Sequence, residues 1–565
     1  MKKKLFAMLL AAGMLLGLLA GCGGDAASAT ASGTPETSAA SAAEVPETPE
    51  EAPASVEESA SETASAEEPA ATINYPVGNG ETYSVAVVMD SNLLEYVPEG
   101  DPANANGIAK MQEVTGIKLD YTVFPMMSDN MTLMIASGDW TDIIGKVSEN
   151  YANGLDGALE EEVIIDLAPY LEEYAPDYYS YVMNTPNAWK DSSTDDGRVG
   201  GFFNFNQPGL SGFAIRQDWL KDAGIDKVPE TFAELEDACL AVKNKHPELT
   251  RLFPMASSFI AQGYESEIMY GYGIETINNE FFRQEDGKIG YAWTTDAARD
   301  YLEMLARWTK AGIVSKDEMV SGDIATMGND LYLGSALMKH NDAGMWGNEY
   351  LDMVEDPNFD LVPMNYPTVN KGDAIRFTAG LGAAADFWSI SATCPDVETL
   401  IQAVNWLYTE EGTVAMNFGE EGVSYTIDDG VYHYTDLVTN NPDGVPLFMA
   451  TAIYTGFEVP KIVMQEANDA KWVNQQQFDA QDYWRTQDRN SDGARKGKLT
   501  TAESEALAGY TDIETYLQEK ALAFAIGDTE ITDESWSEFC NTIESMGIQT
   551  YIDIYQAAQD RYDAK

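Results

Sequence analysis

Tyr83-Ser-Val-Ala-Val-Val-Met89 is the run from which the architecture of the chain is read. It is apolar and β-branched, and turn-forming residues bound it, Gly80 on one side and Asp90-Ser91-Asn92 on the other. Such a run predicts a buried strand. Downstream, a helical pattern starts near Asn104 and stops at Gly116, placed as a C′ glycine. Ile117-Lys-Leu-Asp-Tyr-Thr-Val123 alternates apolar and polar, which predicts a second strand. A helix over about Ser128 to Ser137 and a short strand at Asp142-Ile143-Ile144 complete the unit. Strand–helix–strand–helix–strand order implies a mostly parallel sheet with crossover helices.

Further along, Thr231-Phe-Ala-Glu234 reads as a capping box after Pro229, opening a helix toward Lys245. Asp296 is placed to cap a helix whose stripe is Tyr301, Leu302, Leu305, Ala306 and Trp308, ended by Gly312. Pro395 sits at a first-turn position of a helix that buries Val397, Leu400, Ile401, Val404, Leu407 and Tyr408, with Gly412 near its end. Helices are expected over Asp512 to Ala525, Asp533 to Met546 and Gln549 to Asp563.

Upstream of the first strand the composition changes. Lys2 to Lys4, the apolar run Leu5 to Ala20 and the ending Leu18-Leu19-Ala20-Gly21-Cys22 form a secretory signal too short for a comfortable membrane span. The ending resembles a bacterial lipobox, which implies cleavage before Cys22 and a lipid on its thiol; the plainer reading is an ordinary cleaved signal with a coincidental Cys. Several acyl chains anchor firmly, since each buried methylene contributes about 0.8 kcal/mol. Gly23 to Thr72 is nearly all Ala, Ser, Thr, Glu, Pro and Gly, with eleven acidic residues and no basic one. It cannot bury enough apolar surface to offset its ordering entropy, so a disordered, extended stalk is expected. The chain therefore divides into a signal peptide (1–21), a stalk (22–75) and a folded region (76–565).

The net charge is −60, and −52 remains on the folded region once the stalk and the N-terminal lysines are removed. Nucleic-acid binding needs cationic surface and is excluded as a function class. Cys239, Cys394 and Cys540 are far apart and odd in number, so packed, unpaired thiols are expected. His246, His340 and His433 are isolated from one another, which leaves little material for a zinc site or a Ser-His-Asp triad.

Several segments share one pattern. They are Gly116-Ile117-Lys118; Ala136-Ser-Gly-Asp-Trp-Thr-Asp-Ile-Ile144; Ile165-Asp-Leu-Ala-Pro-Tyr-Leu171; Ile215-Arg-Gln-Asp-Trp-Leu220 with Gly224, Pro229 and Thr231-Phe232; Gly344-Met-Trp346; and Gly419-Glu-Glu-Gly-Val-Ser-Tyr425. In this order and behind a lipobox, the chain resembles extracellular solute-binding protein family 1. These are the sugar-binding, maltose-binding-protein-like lipoproteins of ABC importers, and the long Gram-positive members are the nearest in form. One departure is Arg198 to Phe203, where the family has a proline-containing hairpin and this chain has Gly-Gly-Phe-Phe.

The resemblance implies an α/β, two-lobed periplasmic-binding-protein-like fold of type II. Each lobe would be a mostly parallel sheet flanked by helices, with the ligand cleft between lobes and hinge closure around the ligand. Lobe 1 would hold about 76–205 and 372–420, and lobe 2 about 206–371 and 421–565. The carboxyl ends of the strands would face the cleft. The implied role is to capture a carbohydrate, an oligosaccharide in view of the chain length, and to deliver it to a two-subunit ABC permease. The protein would act as a monomer, lipid-anchored at Cys22 on the extracellular face of a cell membrane.

A sugar offers apolar C–H faces and a fan of hydroxyls, which suit aromatic faces and carboxylates, amides or cations. Trp346 is the first candidate ligand contact. Trp140, Asp142 and Lys146 are placed at the cleft lip, Asn204 and Phe205 at the first crossover, Trp388 before the second, and Tyr425 after its loop. Glu265 beside Tyr264 and Trp472 in a polar stretch complete the set. Trp219, Trp308 and Trp406 fall on apolar helix faces and read as core; Arg216 and Asp218 read as a brace. No cofactor and no catalytic residue is expected. Asp488, Asn490 and Asp492 fit half of a calcium loop, but its twelfth position is Leu499 and Arg489, Arg495, Lys496 and Lys498 crowd it, so a solvated turn is favoured over calcium. The alternatives are a binding protein for a peptide or cationic small molecule, and a secreted glycoside hydrolase.

Overall fold

In the computed structural model, residues 72–565 are described except 127, 152–153, 207–210, 256–263, 275–279, 285, 322–328, 374, 377–381, 487–488 and 491–497. The signal, Cys22 and nearly all of the stalk lie outside them. Ten strands build the sheets that matter here: β1 (Thr82–Met89), β2 (Lys118–Pro125), β3 (Ile143–Gly145), β4 (Phe202–Asn206), β5 (Ser211–Arg216), β6 (Met338–Asp342), β7 (Leu361–Met364), β8 (Gly382–Ile390), β9 (Tyr425–Asp428) and β10 (Val431–Tyr434).

The first sheet has the order β2-β1-β3-β8-β4. β1 pairs in parallel with β2 and β3, as its apolar run predicts for a strand covered on both faces. β8 runs antiparallel to both β3 and β4, so four of the five strands share one direction. Tyr83, Val85, Val87 and Met89 of β1 are buried against Ile108 and Met111 of the Asn106–Thr115 helix. That helix stops at Gly116, whose φ is +80°, and a Cβ there would lie 2.4 Å from the Gly78 carbonyl oxygen. Both the left-handed backbone and the close approach require glycine.

The second lobe is built on β6-β5-β7, and both of its pairings are antiparallel. The expectation of a mostly parallel sheet there is corrected. β5 returns directly from the first crossover between strands contributed by later chain, so no βαβ crossover enforces parallel pairing. Phe213 and Ile215 pack beneath the Phe232–Lys245 and Asp296–Ala311 helices, with Trp308 fully buried. Thr231 and Glu234 form the capping box in both directions. The cap of the next helix is Thr295, one residue before the expected Asp296.

Two further boundaries differ from the sequence expectation. Pro395 precedes the true cap, Asp396, whose carboxylate accepts from the Thr399 amide at 3.2 Å. The Val397–Asn405 helix tightens into a 3₁₀ turn at Trp406–Tyr408, and Thr409 starts a separate Glu410–Phe418 helix. Gly412 is in the first turn of that second helix, where a Cβ would sit 1.8 Å from the Trp406 carbonyl oxygen. The lobe boundary also moves. The core of the first lobe includes Ala452 and Val459, and the β9–β10 hairpin packs on Phe418. Residues to about 470 therefore pack with lobe 1, against the expected change at 420. Lobe 2 resumes at the Gln475–Arg485 helix, whose Ala480 and Trp484 pack with Trp346 and Ala214. Cys239, Cys394 and Cys540 are free thiols.

Candidate functional site

The first lobe turns the carboxyl ends of its strands toward the second. β4 leads from its carboxyl end at Asn206 to β5 at Ser211, β8 returns at the same end, and Lys461 joins there. The Phe205 amide donates to the Lys461 carbonyl at 3.0 Å, and the Val463 amide to the Phe205 carbonyl at 2.9 Å. The segment 458–474 is thus a third passage between the lobes, and the candidate site is built around it.

On the lobe 1 side, Lys146 follows β3 directly. Its ammonium meets the Glu458 carboxylate at 2.8 Å and lies 5.1 Å from the Phe387 ring centroid. Trp388, fully buried, donates its indole N–H to the Glu458 carbonyl at 2.9 Å. Asn204 Oδ1 accepts from the Lys461 amide at 2.7 Å. The Lys461 ammonium donates to the Gly456 carbonyl at 2.9 Å and the Met416 carbonyl at 3.2 Å. Burial, with Lys471 nearby, pushes that ammonium down to about 8.

On the lobe 2 side, three tryptophans meet a set of amides. Trp346 follows β6, is 1% exposed and packs edge-on to Trp484 with centroids 6.1 Å apart. Its indole N–H is buried without a hydrogen-bond partner among the described residues. Asn474 Nδ2 donates to the Trp346 carbonyl at 2.8 Å, and Gln477 Nε2 to the Ala343 carbonyl at 3.1 Å. The half-buried Trp472 donates to Gln481, which in turn donates to Asp469. The capping box Asn474-Gln-Gln-Gln477 opens the helix that carries these groups. Trp346, Trp484, Gln477 and Gln481 are buried and brace Trp472 and Asn474, which are partly exposed; an aromatic side chain beside an amide can bind a polyhydroxylated ligand by stacking and hydrogen bonding.

The structure gathers Lys146, Asn204, Phe205, Trp388, Trp346 and Trp472 around this passage. Phe205 contributes its backbone, while its ring is core between Tyr178, Tyr181 and Tyr408. Trp140 and Asp142 are elsewhere, which corrects their assignment to the cleft lip. They precede β3 at the amino end of the sheet, where Asp142 accepts from the amide and hydroxyl of Ser84 at 2.8 and 2.7 Å. Trp140 folds back to donate to the Ile135 carbonyl at 2.8 Å. Tyr425, in the β9–β10 hairpin, packs on Phe418 in a cluster that also takes in Met464, Ala467 and Ala470 of the passage. The side chain of Glu265 lies outside the described residues, as do Asp488, Asp492 and the side chain of Asn490. Trp219, Trp308 and Trp406 are core, and Arg216 is a brace between Asp218 and Asp356. Sequence reasoning missed Glu458, Lys461, Asn474, Gln477 and Gln481. The capping-box pattern at Asn474–Gln477 was a usable signal for the last three.

A two-lobed α/β protein with its polar-aromatic surface on the passages between lobes is built as a binding protein. The sequence profile described as "Bacterial extracellular solute-binding protein" matches residues 95–414, and the chain belongs to that family. Among curated relatives, the fructooligosaccharide ABC transporter substrate-binding protein FusA of Streptococcus pneumoniae is 21% identical over 495 residues, covering 82% of this chain and 88% of FusA. Lipoprotein LipO of Bacillus subtilis is 22% identical over 363 residues, covering 61% of this chain and 68% of LipO. Among solved structures, the alginate-binding protein AlgQ2 superposes with a TM-score of 0.67 at 20% identity, covering 87% of this chain and all of AlgQ2. FusA in complex with kestose superposes with a TM-score of 0.67 at 16% identity, covering 86% of this chain and all of FusA.

Proposed function

We propose that this chain is a lipid-anchored extracellular receptor that captures an oligosaccharide between its lobes and delivers it to an ABC permease. The observation that carries the reading is the partly exposed pair Trp472 and Asn474 on the third interlobe passage, braced from beneath by the buried Trp346, Gln477 and Gln481. Support comes from FusA, solved with kestose, and from LipO, a lipoprotein. Closure is a hinge motion: the ligand favours the closed form by the contacts it makes with both walls. Lys146 and Glu458 present a charged pair from lobe 1, and Trp472 offers a ring from lobe 2. The chain binds without turnover, the membrane tether is a lipid on Cys22, and the permease is touched by both lobes.

The test is a thermal-shift screen of the folded region (residues 73–565) against neutral oligosaccharides, uronates, peptides and polyamines, with sugars recovered after long incubation. At 100 times its Kd a ligand stabilises by about 2.7 kcal/mol, a readily visible shift. The expected result is a shift with an intact neutral oligosaccharide that Trp472→Ala abolishes. A shift with peptides alone, or recovery of cleaved sugar, overturns the reading. In cells, Cys22→Ser should release the protein from the membrane fraction.

A further inference from the structure

Two lysines from lobe 2 converge on one oxygen of lobe 1. Lys498, just before the Thr501–Leu507 helix, donates to the Ser193 carbonyl at 2.8 Å. Lys565, at the end of the C-terminal helix Ile548–Ala564, donates to the same oxygen at 2.9 Å. Their nitrogens are therefore no more than about 6 Å apart, where two positive charges away from bulk water repel each other. Lys565 has a counter-ion, Asp195 at 3.2 Å, and a second acceptor in the Lys190 carbonyl at 3.4 Å. Lys498 has no carboxylate within ion-pair distance among the described residues, and its ammonium lies 5.8 Å from the Phe203 ring centroid.

Lobe 1 offers Lys498 carboxylates only at longer range. They are Asp156 on the Gly154–Glu160 helix, Asp191 on the Ala188–Ser192 helix and the buried Asp386 of β8. All three have other company: Asp156 also faces Arg198, Asp191 accepts from Tyr562, and Asp386 accepts from Ser148. From lobe 2, Arg561 donates to the Lys498 backbone carbonyl at 3.0 Å, its own charge balanced by Asp195 and Glu503. Burial, and after it the Lys565 charge, push the Lys498 ammonium down to about 8, against the pull of the three carboxylates.

We propose that Lys498 is a proton-controlled latch between the lobes, which tightens when the residue sheds its proton. A neutral amine keeps two N–H groups, so its bond to the Ser193 carbonyl survives deprotonation. The repulsion from Lys565 and the cost of desolvating a charge both disappear. With the lobes parted, Lys498 is a solvated lysine with its ordinary value of 10.5. The latched form thus binds this proton more weakly than the released form, and a rise in pH favours the latch. The gain begins near pH 8 and is complete near pH 10.5; below pH 8 the latch is at its weakest. Between pH 7 and pH 9.5 the ratio of latched to released molecules should rise about thirtyfold.

No ligand is needed for the test, so its outcome is independent of the oligosaccharide reading. In the mature chain with carbon-13-labelled lysine, the resonance missing from Lys498→Met should titrate near pH 8. Lys565→Met should raise that midpoint, because it removes the second ammonium. Hydrogen exchange over residues 188–198, corrected for the intrinsic rate at each pH, reads the latch itself. Protection there should rise at least fivefold from pH 7 to pH 9.5 in the parent. It should stay flat in Lys498→Met, which has no proton to lose, and in Lys498→Arg, which keeps its charge throughout. The contact is peripheral to both cores, so circular dichroism of each variant should match the parent. A Lys498 midpoint near 10.5, flat protection in the parent, or an equal rise in all three chains would overturn the proposal.

Discussion

Lys146 and Glu458 form an ion pair at 2.8 Å in which both partners hold left-handed backbone, φ +49° and +52°. They come from different segments, the turn after β3 and the third interlobe passage, and neither is glycine. A left-handed residue with a Cβ costs about 1–2 kcal/mol, and strain of this kind concentrates at functional sites. The pair is partly exposed, so its own contribution is about 1 kcal/mol at most. For Lys146→Gly the two effects oppose each other. Stability in urea should stay within about 1 kcal/mol of the parent, while affinity for the bound oligosaccharide should fall about tenfold. An unchanged affinity would remove Lys146 from the proposed site.

Trp346 is a poor probe of binding despite its position after β6. At 1% exposure, packed on Trp484, it is core as much as site. Trp346→Ala should cost about 3–5 kcal/mol of stability, as large aromatic truncations in cores do, and urea denaturation would measure it. Trp472 is only half-buried and anchored by one hydrogen bond to Gln481. Trp472→Ala should cost far less stability while removing most of the ligand affinity, so it is the cleaner binding variant.

The contrast between these residues shows what the sequence carried. β1 to β3, the Thr231 capping box and the Gly116 and Gly312 stops were legible because they rest on local rules of period, cap and left-handed glycine. The antiparallel sheet of lobe 2 was not, since β6 and β7 reach β5 from more than a hundred residues downstream. Trp140 and Asp142 were misplaced for a related reason. The short strand Ile143–Gly145 was recognised, but which of its ends faced the cleft depended on how β4 and β8 leave the sheet. Lys146, three residues beyond Ile143, lies at the end toward the cleft. Glu458 and Lys461 carried no local signal, because their role comes from a passage that only the folded chain defines.

Glu280 gives lobe 2 a pH dependence whose sign can be stated. Its carboxyl is buried and accepts from the Tyr510 hydroxyl. Burial pushes it up to about 7; the Tyr510 hydrogen bond opposes the rise and Glu514 adds to it. The folded state therefore holds this proton more tightly than the unfolded chain, whose value is near 4.5. Stability from this group is full below about pH 4.5 and is lost as pH rises toward 7, by up to about 3 kcal/mol. Glu280→Gln keeps a neutral acceptor for Tyr510 and removes the titration. Urea midpoints measured from pH 5 to 8 should fall with pH in the parent and fall less steeply in the variant; parallel curves would assign the slope to other groups.

The C-terminal helix Ile548–Ala564 ties the two lobes, beside the contacts of Lys498 with Ser193 and of Thr501 with Glu160. Two turns before its end it belongs to lobe 2: Gln556 Oε1 accepts from the Ile289 amide at 2.7 Å, and Tyr555 packs on Phe281 with centroids 4.3 Å apart. Its last turns reach lobe 1, where the Tyr562 hydroxyl donates to Asp191 at 2.7 Å and Arg561 pairs with Asp195, while Glu503 of lobe 2 holds the same guanidinium. These contacts are polar and partly exposed, so the tie is a weak one that local opening can break without unfolding either core. Arg561→Ala with Tyr562→Phe should lower global stability by only about 1–2 kcal/mol. Hydrogen exchange should accelerate together at residues 559–564 and 188–195, while 289–291, held by Gln556, keep their protection. Acceleration confined to the helix end would mean that lobe 1 does not depend on this contact, and the interlobe tie would then reside in the three chain passages and the Lys498 and Thr501 contacts.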